Sequence, residues 1–209
     1  MRVTVDGTTL DVAHGTTILE AARAAGHDVP VLCFDERLSP FGACRVCMVG
    51  VEGVPRPLAA CTTMCQDGMV VATRDPTARR VASAVVELVL SELPEPPAAH
   101  TELAAVAREL EVTESRWTGA QRTVDHDGRH PYLALRHELC ISCARCVRAC
   151  DEVQGTFALT MVGRGFASGI SAGIDEGFKD SACVSCGACA DTCPTGAITE
   201  FSLLEMART

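Results

Sequence analysis

All but one of the thirteen cysteines fall into three regularly spaced sets, and thiols at such spacings in an intracellular-type chain are metal ligands rather than disulfide partners. The carboxy-terminal part reads Cys140-x2-Cys143-x2-Cys146-x3-Cys150, then Cys183-x2-Cys186-x2-Cys189-x3-Cys193-Pro194. Three thiolates at two-residue gaps can wrap one iron–sulfur cube, and the fourth ligand comes from the other run. The spacing therefore predicts one [4Fe–4S] cluster on Cys140, Cys143, Cys146 and Cys193 and a second on Cys183, Cys186, Cys189 and Cys150. Crossed ligation holds two one-electron carriers close together, which makes a relay. Pro194 follows its run as the template requires, whereas Asp151 replaces proline after Cys150. Zinc also binds Cys-x2-Cys pairs, but these steps with two x3 closures suit cubes better than tetrahedral sites.

The amino-terminal set is Cys33, Cys44, Cys47 and Cys61, spaced Cys-x10-Cys-x2-Cys-x13-Cys. A [2Fe–2S] rhomb needs two thiolates on each iron. One long loop bearing Cys33, Cys44 and Cys47, with Cys61 returning from the next strand, can supply them. Gly42 and Ala43 suit a loop whose amides must approach inorganic sulfides closely. Zinc is the competing occupant here too. Cys65 is left over, either as a substitute for Cys61 or as a small buried apolar side chain.

Other elements must position these thiols. Val3 and Val5, the turn pair Asp6-Gly7, then Leu10 and Val12 predict a β-hairpin. Thr17-Ile-Leu-Glu20 reads as a capping box that starts a helix through Ala25, with Gly26 as its stop. Hairpin then helix is the opening of a β-grasp fold. Val29–Ser39 and Gly42–Cys47 read as loop, short strands surround Gly50 and Gly53, and Gly68–Thr73 is a last strand. Arg79–Leu93 is a helix stopped by Pro94, Pro96 and Pro97, which form a stiff linker. Thr101–Val112 is a second helix with Leu103, Val106 and Leu110 on one face. Gly119–Pro131 reads as loop, and Trp117 as a core residue.

Composition narrows the function classes. A net charge of -9, with one Trp and one Tyr, argues against nucleic acid, which wants a basic face and stacking rings. The amino terminus lacks the apolar core of a signal peptide, and Val81–Leu90 is too short to span a bilayer. The expectation is a cytoplasmic protein without membrane insertion. No glycine-rich nucleotide fingerprint and no nucleophile with a paired base is visible, so a self-sufficient enzyme is disfavoured.

The stretch Ser39-Pro-Phe-Gly-Ala-Cys-Arg-Val-Cys47 resembles the N-terminal domain of the large iron–sulfur subunit of respiratory complex I. A similar domain opens subunits of NAD-linked hydrogenases and formate dehydrogenases. Ala60-Cys61-Thr62-Thr63 matches that family and favours Cys61 over Cys65 as ligand. Leu139–Leu159, Gly163-Arg-Gly-Phe166 and Ser181–Cys189 resemble the N-terminal iron–sulfur module of NAD-linked molybdenum or tungsten formate dehydrogenase alpha subunits. There the module precedes a long pterin-binding catalytic region, whereas this chain stops at Thr209. In that respect it is similar to the small diaphorase subunit of NAD-reducing hydrogenases. The family's His-x3-Cys-x2-Cys-x5-Cys site is also missing, because Ser91–Leu103 holds His100 and no cysteine. His100 is read as a surface residue, and His137 as a surface or cluster-adjacent one. Arg145 and Arg148 either raise the neighbouring cluster's potential by their charge or form a solvated helical face.

These readings give an α+β chain in three parts. Residues 1–78 form a β-grasp [2Fe–2S] ferredoxin domain, residues 79–130 a helical linker, and residues 131–209 a bacterial two-[4Fe–4S] ferredoxin-like domain. The resemblance implies an electron-transfer subunit between an NADH-binding flavoprotein subunit and a molybdopterin catalytic subunit of formate dehydrogenase type. A nickel–iron hydrogenase module is the alternative partner, and a free polyferredoxin the alternative role.

Overall fold

The computed structural model describes residues 1–120, 130–173 and 177–201, arranged as two compact units. The loop expected over Gly119–Pro131 falls largely on residues 121–129, outside the described residues.

The first unit comprises Met1–Phe34, Pro40–Leu88 and Val106–Trp117. Strands β1 (Arg2–Val5) and β2 (Thr8–Asp11) form the expected hairpin. Its turn residues Asp6 and Gly7 have φ of 46° and 85°, the left-handed pair that an Asp-Gly turn supplies at low strain. Helix α1 (Ile18–Ala24) opens with the expected capping box. The Thr17 amide donates to Glu20 Oε2 at 2.6 Å, and the Glu20 amide to Thr17 Oγ1 at 3.2 Å. Gly26, at φ 81°, ends it. Ile18, Leu19, Ala21 and Ala22 are buried and share one core with Val3 and Val5. Strands β3 (Met48–Val51), β4 (Leu58–Ala59) and β5 (Val70–Ala72) complete a sheet ordered β2-β1-β5-β3-β4. The β1–β5 pairing is parallel and the others antiparallel. The hairpin, the helix after it and the last strand near Gly68–Thr73 are as the sequence predicts; the parallel pairing of that strand with β1 is given by the structure.

Helix α2 (Pro76–Glu92) starts with proline, which has no amide to leave unsatisfied. Asp75 Oδ1 accepts the amides of Thr77 and Ala78 at 2.9 and 2.8 Å. Ala78, Ala82 and Val86, four residues apart, are its buried row. Helix α3 (Glu102–Glu109) buries Leu103, Val106 and Leu110 as their spacing predicts. The division between units runs through both helices, since Val89–Ala105 belongs to the second unit and Val106–Trp117 to the first. Trp117 departs from the core role expected of it. It is 42% exposed, with the Arg116 guanidinium 4.8 Å over its ring.

The second unit holds Asp35–Ser39, Val89–Ala105 and Thr118–Thr209. Strand β6 (Leu133–Leu135) pairs antiparallel with β9 (Ile198–Glu200), and β7 (Leu159–Val162) with β8 (Gly169–Ala172). Two single-turn helices, α4 (Arg145–Arg148) and α5 (Ala188–Asp191), carry the cysteine runs, and α4 continues as a π-helical turn over Ala149–Gln154. Helices of one turn do not persist alone in water, so their surroundings hold them. The core here joins Leu133, Leu135, Leu159, Ile170, Phe178 and Ile198 to Cys146, Cys150 and Cys189. Among the described residues no helix is long and apolar enough to cross a membrane.

Candidate iron–sulfur sites

In the first unit, Cys33 lies in the loop after α1, Cys44 and Cys47 lie just before β3, and Cys61 follows β4. Backbone bonding brings the last two together, because the Ala60 amide donates to the Cys47 carbonyl at 2.8 Å. Cys33, Cys47 and Cys61 are buried and Cys44 is half-buried. The four thiols meet in one row, Cys44 with Cys33, Cys33 with Cys61 and Cys61 with Cys47. Cys47 Sγ lies 3.3 Å from Cys61 Sγ, and the Cys44 amide donates to Cys33 Sγ at 3.5 Å. Proton sharing follows that row. The Cys44 thiol, bonded to Cys33, is pushed up while Cys33 is pulled down; Cys61, bonded to Cys33 and Cys47, is pushed up while Cys47 is pulled down.

The loop is shaped for close approach. Arg45 takes φ 59° between Cys44 and Cys47, and Gly42 takes φ 67°. A Cβ on Gly42 would stand 2.9 Å from Thr62 Cγ2, beside Cys61, so the position disfavours a side chain on two grounds. Cys65 sits elsewhere, among the buried residues of the first core, with its amide donating to Thr16 O at 2.8 Å. Burial, then the Glu20 charge, raises its thiol, which fits a protonated packing residue.

In the second unit the two runs repeat one backbone conformation. The second residue after each leading cysteine is left-handed, Ser142 at φ 53° and Ser185 at φ 59°. So is the fourth, Ala144 at 60° and Gly187 at 80°. The Ser142 amide donates to Cys140 Sγ and the Ser185 amide to Cys183 Sγ, both at 3.4 Å. Left-handed serine and alanine each cost about 1–2 kcal/mol, so some stronger demand holds these turns. Amides turned inward at left-handed turns suit a bound anion.

The closing cysteines are also met by donors. Ala158 N reaches Cys150 Sγ at 3.2 Å, and Ile198 N reaches Cys193 Sγ at 3.5 Å. The buried thiols of the two runs also repel one another. Burial pushes Cys143 up to about 12, with Cys193 and Cys140 adding repulsion. Burial likewise pushes Cys189 up to about 12, with Cys183, Cys186 and Cys150 adding to it. Cys146 is raised by burial and by Cys143, Cys193 and Cys140, and also by Cys189, which the spacing assigns to the other cluster. Holding several anionic sulfurs in such a place would require compensating positive charge, as a bound metal supplies.

Arg145 is not on a solvated face. It is 3% exposed, and its guanidinium bonds Thr192 Oγ1 at 2.9 Å, both Glu102 oxygens at 2.6 and 2.9 Å, and Asp35 Oδ2 at 3.2 Å. Thr192 Oγ1 in turn donates to Asp35 Oδ2 at 2.8 Å. Arg145 adjoins Cys146 and Thr192 adjoins Cys193, so the network clips the first run to the end of the second. Arg148 bonds the Ser39 carbonyl. His100 is exposed and His137 half-buried. His130, which the cysteine spacing gave no reason to single out, is 3% exposed, with Nε2 3.6 Å from Cys183 Sγ.

Comparison with known proteins agrees with this division. The 2Fe-2S iron-sulfur cluster binding domain family matches residues 1–76, and the ferredoxin-like domain of NADH-quinone oxidoreductase subunit 3 matches residues 130–199. NADP-reducing hydrogenase subunit HndD of Solidesulfovibrio fructosivorans is 33% identical over 98% of this chain and 37% of its own length. The NADH-ubiquinone oxidoreductase 75 kDa subunit of Reclinomonas americana is 33% identical over 95% of this chain and 29% of its own. The chain thus spans well under half the length of these relatives. A crystal structure of NAD+-reducing [NiFe]-hydrogenase in the H2-reduced state superposes with a TM-score of 0.87, at 32% identity, over 95% of this chain and 86% of that one. With that identity and coverage, the chain belongs to the iron–sulfur electron-transfer subunits of NAD(P)-linked oxidoreductases and hydrogenases.

Proposed function

We propose that the chain relays single electrons between an NAD(H)-flavin subunit and a separate catalytic subunit. It would carry one [2Fe–2S] cluster on Cys33, Cys44, Cys47 and Cys61. Two [4Fe–4S] clusters would sit on Cys140, Cys143, Cys146 and Cys193 and on Cys150, Cys183, Cys186 and Cys189. The observation that carries this reading is the matched pair of turns at Ser142–Ala144 and Ser185–Gly187, whose strain and inward amides suit anionic cubes. The convergence of Cys33, Cys44, Cys47 and Cys61 likewise suits a rhomb, which needs two thiolates on each iron.

Bound iron and sulfide supply reversible one-electron chemistry. The protein's own residues do the rest. The cysteines fix the carriers in place, backbone amides donate to the sulfurs, and the apolar neighbours of Cys146, Cys150 and Cys189 exclude water. Hydride transfer needs a flavin or pterin held against its substrate, and in this reading the partner subunits supply both.

Two catalytic partners are in play. The motif resemblance of Leu139–Leu159 favours a molybdopterin subunit of formate dehydrogenase type. The match to an NAD+-reducing [NiFe]-hydrogenase chain over 86% of its length favours a hydrogenase module, with this chain as its small diaphorase subunit. Purification of the native complex, followed by NAD reduction with formate or with hydrogen, separates them. The isolated chain should accept electrons from a strong reductant yet oxidise neither formate, hydrogen nor NADH. In the complex, Cys44→Ser and Cys146→Ser should slow substrate-to-NAD electron flow while each partner's half-reaction with a dye survives. Turnover of any of these substrates by the isolated chain, or full NAD-linked activity in both mutants, would overturn the relay.

A further inference from the structure

We propose that His130 is a positioning residue that donates its ring proton to Cys183 Sγ and thereby raises the reduction potential of the cluster assigned to Cys150, Cys183, Cys186 and Cys189. The proposal rests on that ligand assignment. Its own warrant is the hydrogen bonding of the ring. Nδ1 accepts two backbone amides, Tyr132 N at 3.2 Å and Leu133 N at 3.0 Å. A ring nitrogen that accepts carries no proton, so the proton is on Nε2. Nε2 faces Cys183 Sγ at 3.6 Å and Ser185 Oγ at 3.2 Å, and it is the donor in both contacts.

The ring is held in that orientation. It is 3% exposed and packs with its centroid 4.8 Å from that of Phe178, which is fully buried. The two backbone donors fix its rotation, because Tyr132 and Leu133 enter strand β6. The Ser185 amide already donates to the same sulfur from within the cysteine run. His130 adds a second donor from 53 residues away. Each donor withdraws charge from the thiolate. The reduced cluster carries one more negative charge than the oxidised one, so donation favours reduction.

The test is an anaerobic redox titration of the cluster-loaded protein followed by EPR, with iron content measured on the same samples. His130→Asn keeps an oxygen where Nδ1 accepts the amides but has no atom at Nε2. Gln in the same place, His130→Gln, can present a donor there. His130→Asn should shift the reduced-to-oxidised ratio of one cube about tenfold toward oxidised at fixed potential, about 59 mV for one electron. His130→Gln should restore most of the shift, and the other midpoints should stay put. An unmoved midpoint in His130→Asn at full iron content overturns the proposal. Loss of the cube in both variants also overturns it, since His130 would then be a folding residue. The ligand assignment fails separately, if Cys183→Ser leaves both cube signals intact.

Discussion

Replacing Arg145 with methionine should loosen one cluster and spare the others. The guanidinium is 4% exposed in its side chain, against 9% for Asp35 and 47% for Glu102. Breaking a fully buried ion pair typically costs about 3–5 kcal/mol, because one charge is stranded. Here the stranding is incomplete. Asp35 keeps Arg37, which bonds its two oxygens at 3.0 and 2.9 Å, and keeps the Thr192 hydroxyl. Glu102 is exposed enough for water to replace its lost partner, so its share is at most about 1 kcal/mol. Methionine fills much of the volume and needs no hydrogen bonds. The expected net cost is therefore about 2 kcal/mol, most of it from the lost Thr192 and Asp35 contacts. If iron leaves through local opening, that cost accelerates loss about 30-fold. The assay is chelator-driven bleaching under anaerobic conditions, with EPR at intervals to identify the cluster that disappears. The cube assigned to Cys140, Cys143, Cys146 and Cys193 should go first, and the [2Fe–2S] signal should persist. Bleaching at the native rate, or loss of all clusters together, would refute the idea that Arg145 clips Cys146 to Cys193.

Three further outcomes follow from the same geometry. Gly42→Ala places a methyl 2.9 Å from Thr62 Cγ2 on a left-handed residue. It should cost about 1–2 kcal/mol and lower [2Fe–2S] content measured by EPR spin count, with Thr62→Ser recovering part. Cys65→Ser buries a hydroxyl in an apolar core and should cost about 1–3 kcal/mol in denaturant unfolding while all three clusters remain; loss of the [2Fe–2S] signal would reassign Cys65 as a ligand. Cluster assembly on the metal-free protein should be faster in alkali. Cys143 and Cys189 are pushed up to about 12, so both hold protons that iron must displace, and thiolate grows as pH rises toward that value. Reconstitution at about pH 9 should outpace that at about pH 7 by at least about tenfold, and a flat profile would count against thiol deprotonation as the limiting step.

Local signals in the sequence carried most of the framework. Asp6-Gly7, the Thr17–Glu20 capping box, Gly26 and the row Leu103, Val106, Leu110 each act within a few residues, where composition and period decide the outcome. The cysteine runs are legible for the same reason, since three of the four thiols expected on each cube lie within seven residues. What escaped notice depends on contacts between distant residues. Arg145 reaches Glu102 across 43 residues and Asp35 across 110, so nothing beside it distinguishes a buried guanidinium from a surface one. His130 meets Cys183 only because β6 and the second run fold together. Trp117 misled because a large ring is normally buried, whereas here a neighbouring Arg116 covers part of it. The segment read as linker is shared between the two units, a matter of packing that its prolines do not reveal.

The central claim is that three clusters occupy twelve named cysteines, and metal content measures it most directly. Anaerobically purified chain should contain about ten irons and about ten acid-labile sulfides, two of each from the rhomb and eight from the cubes, with EPR of the reduced sample showing one [2Fe–2S] and two [4Fe–4S] species. About fourteen irons would mean a third cube on residues not assigned to one, and stoichiometric zinc without sulfide would contradict the account outright.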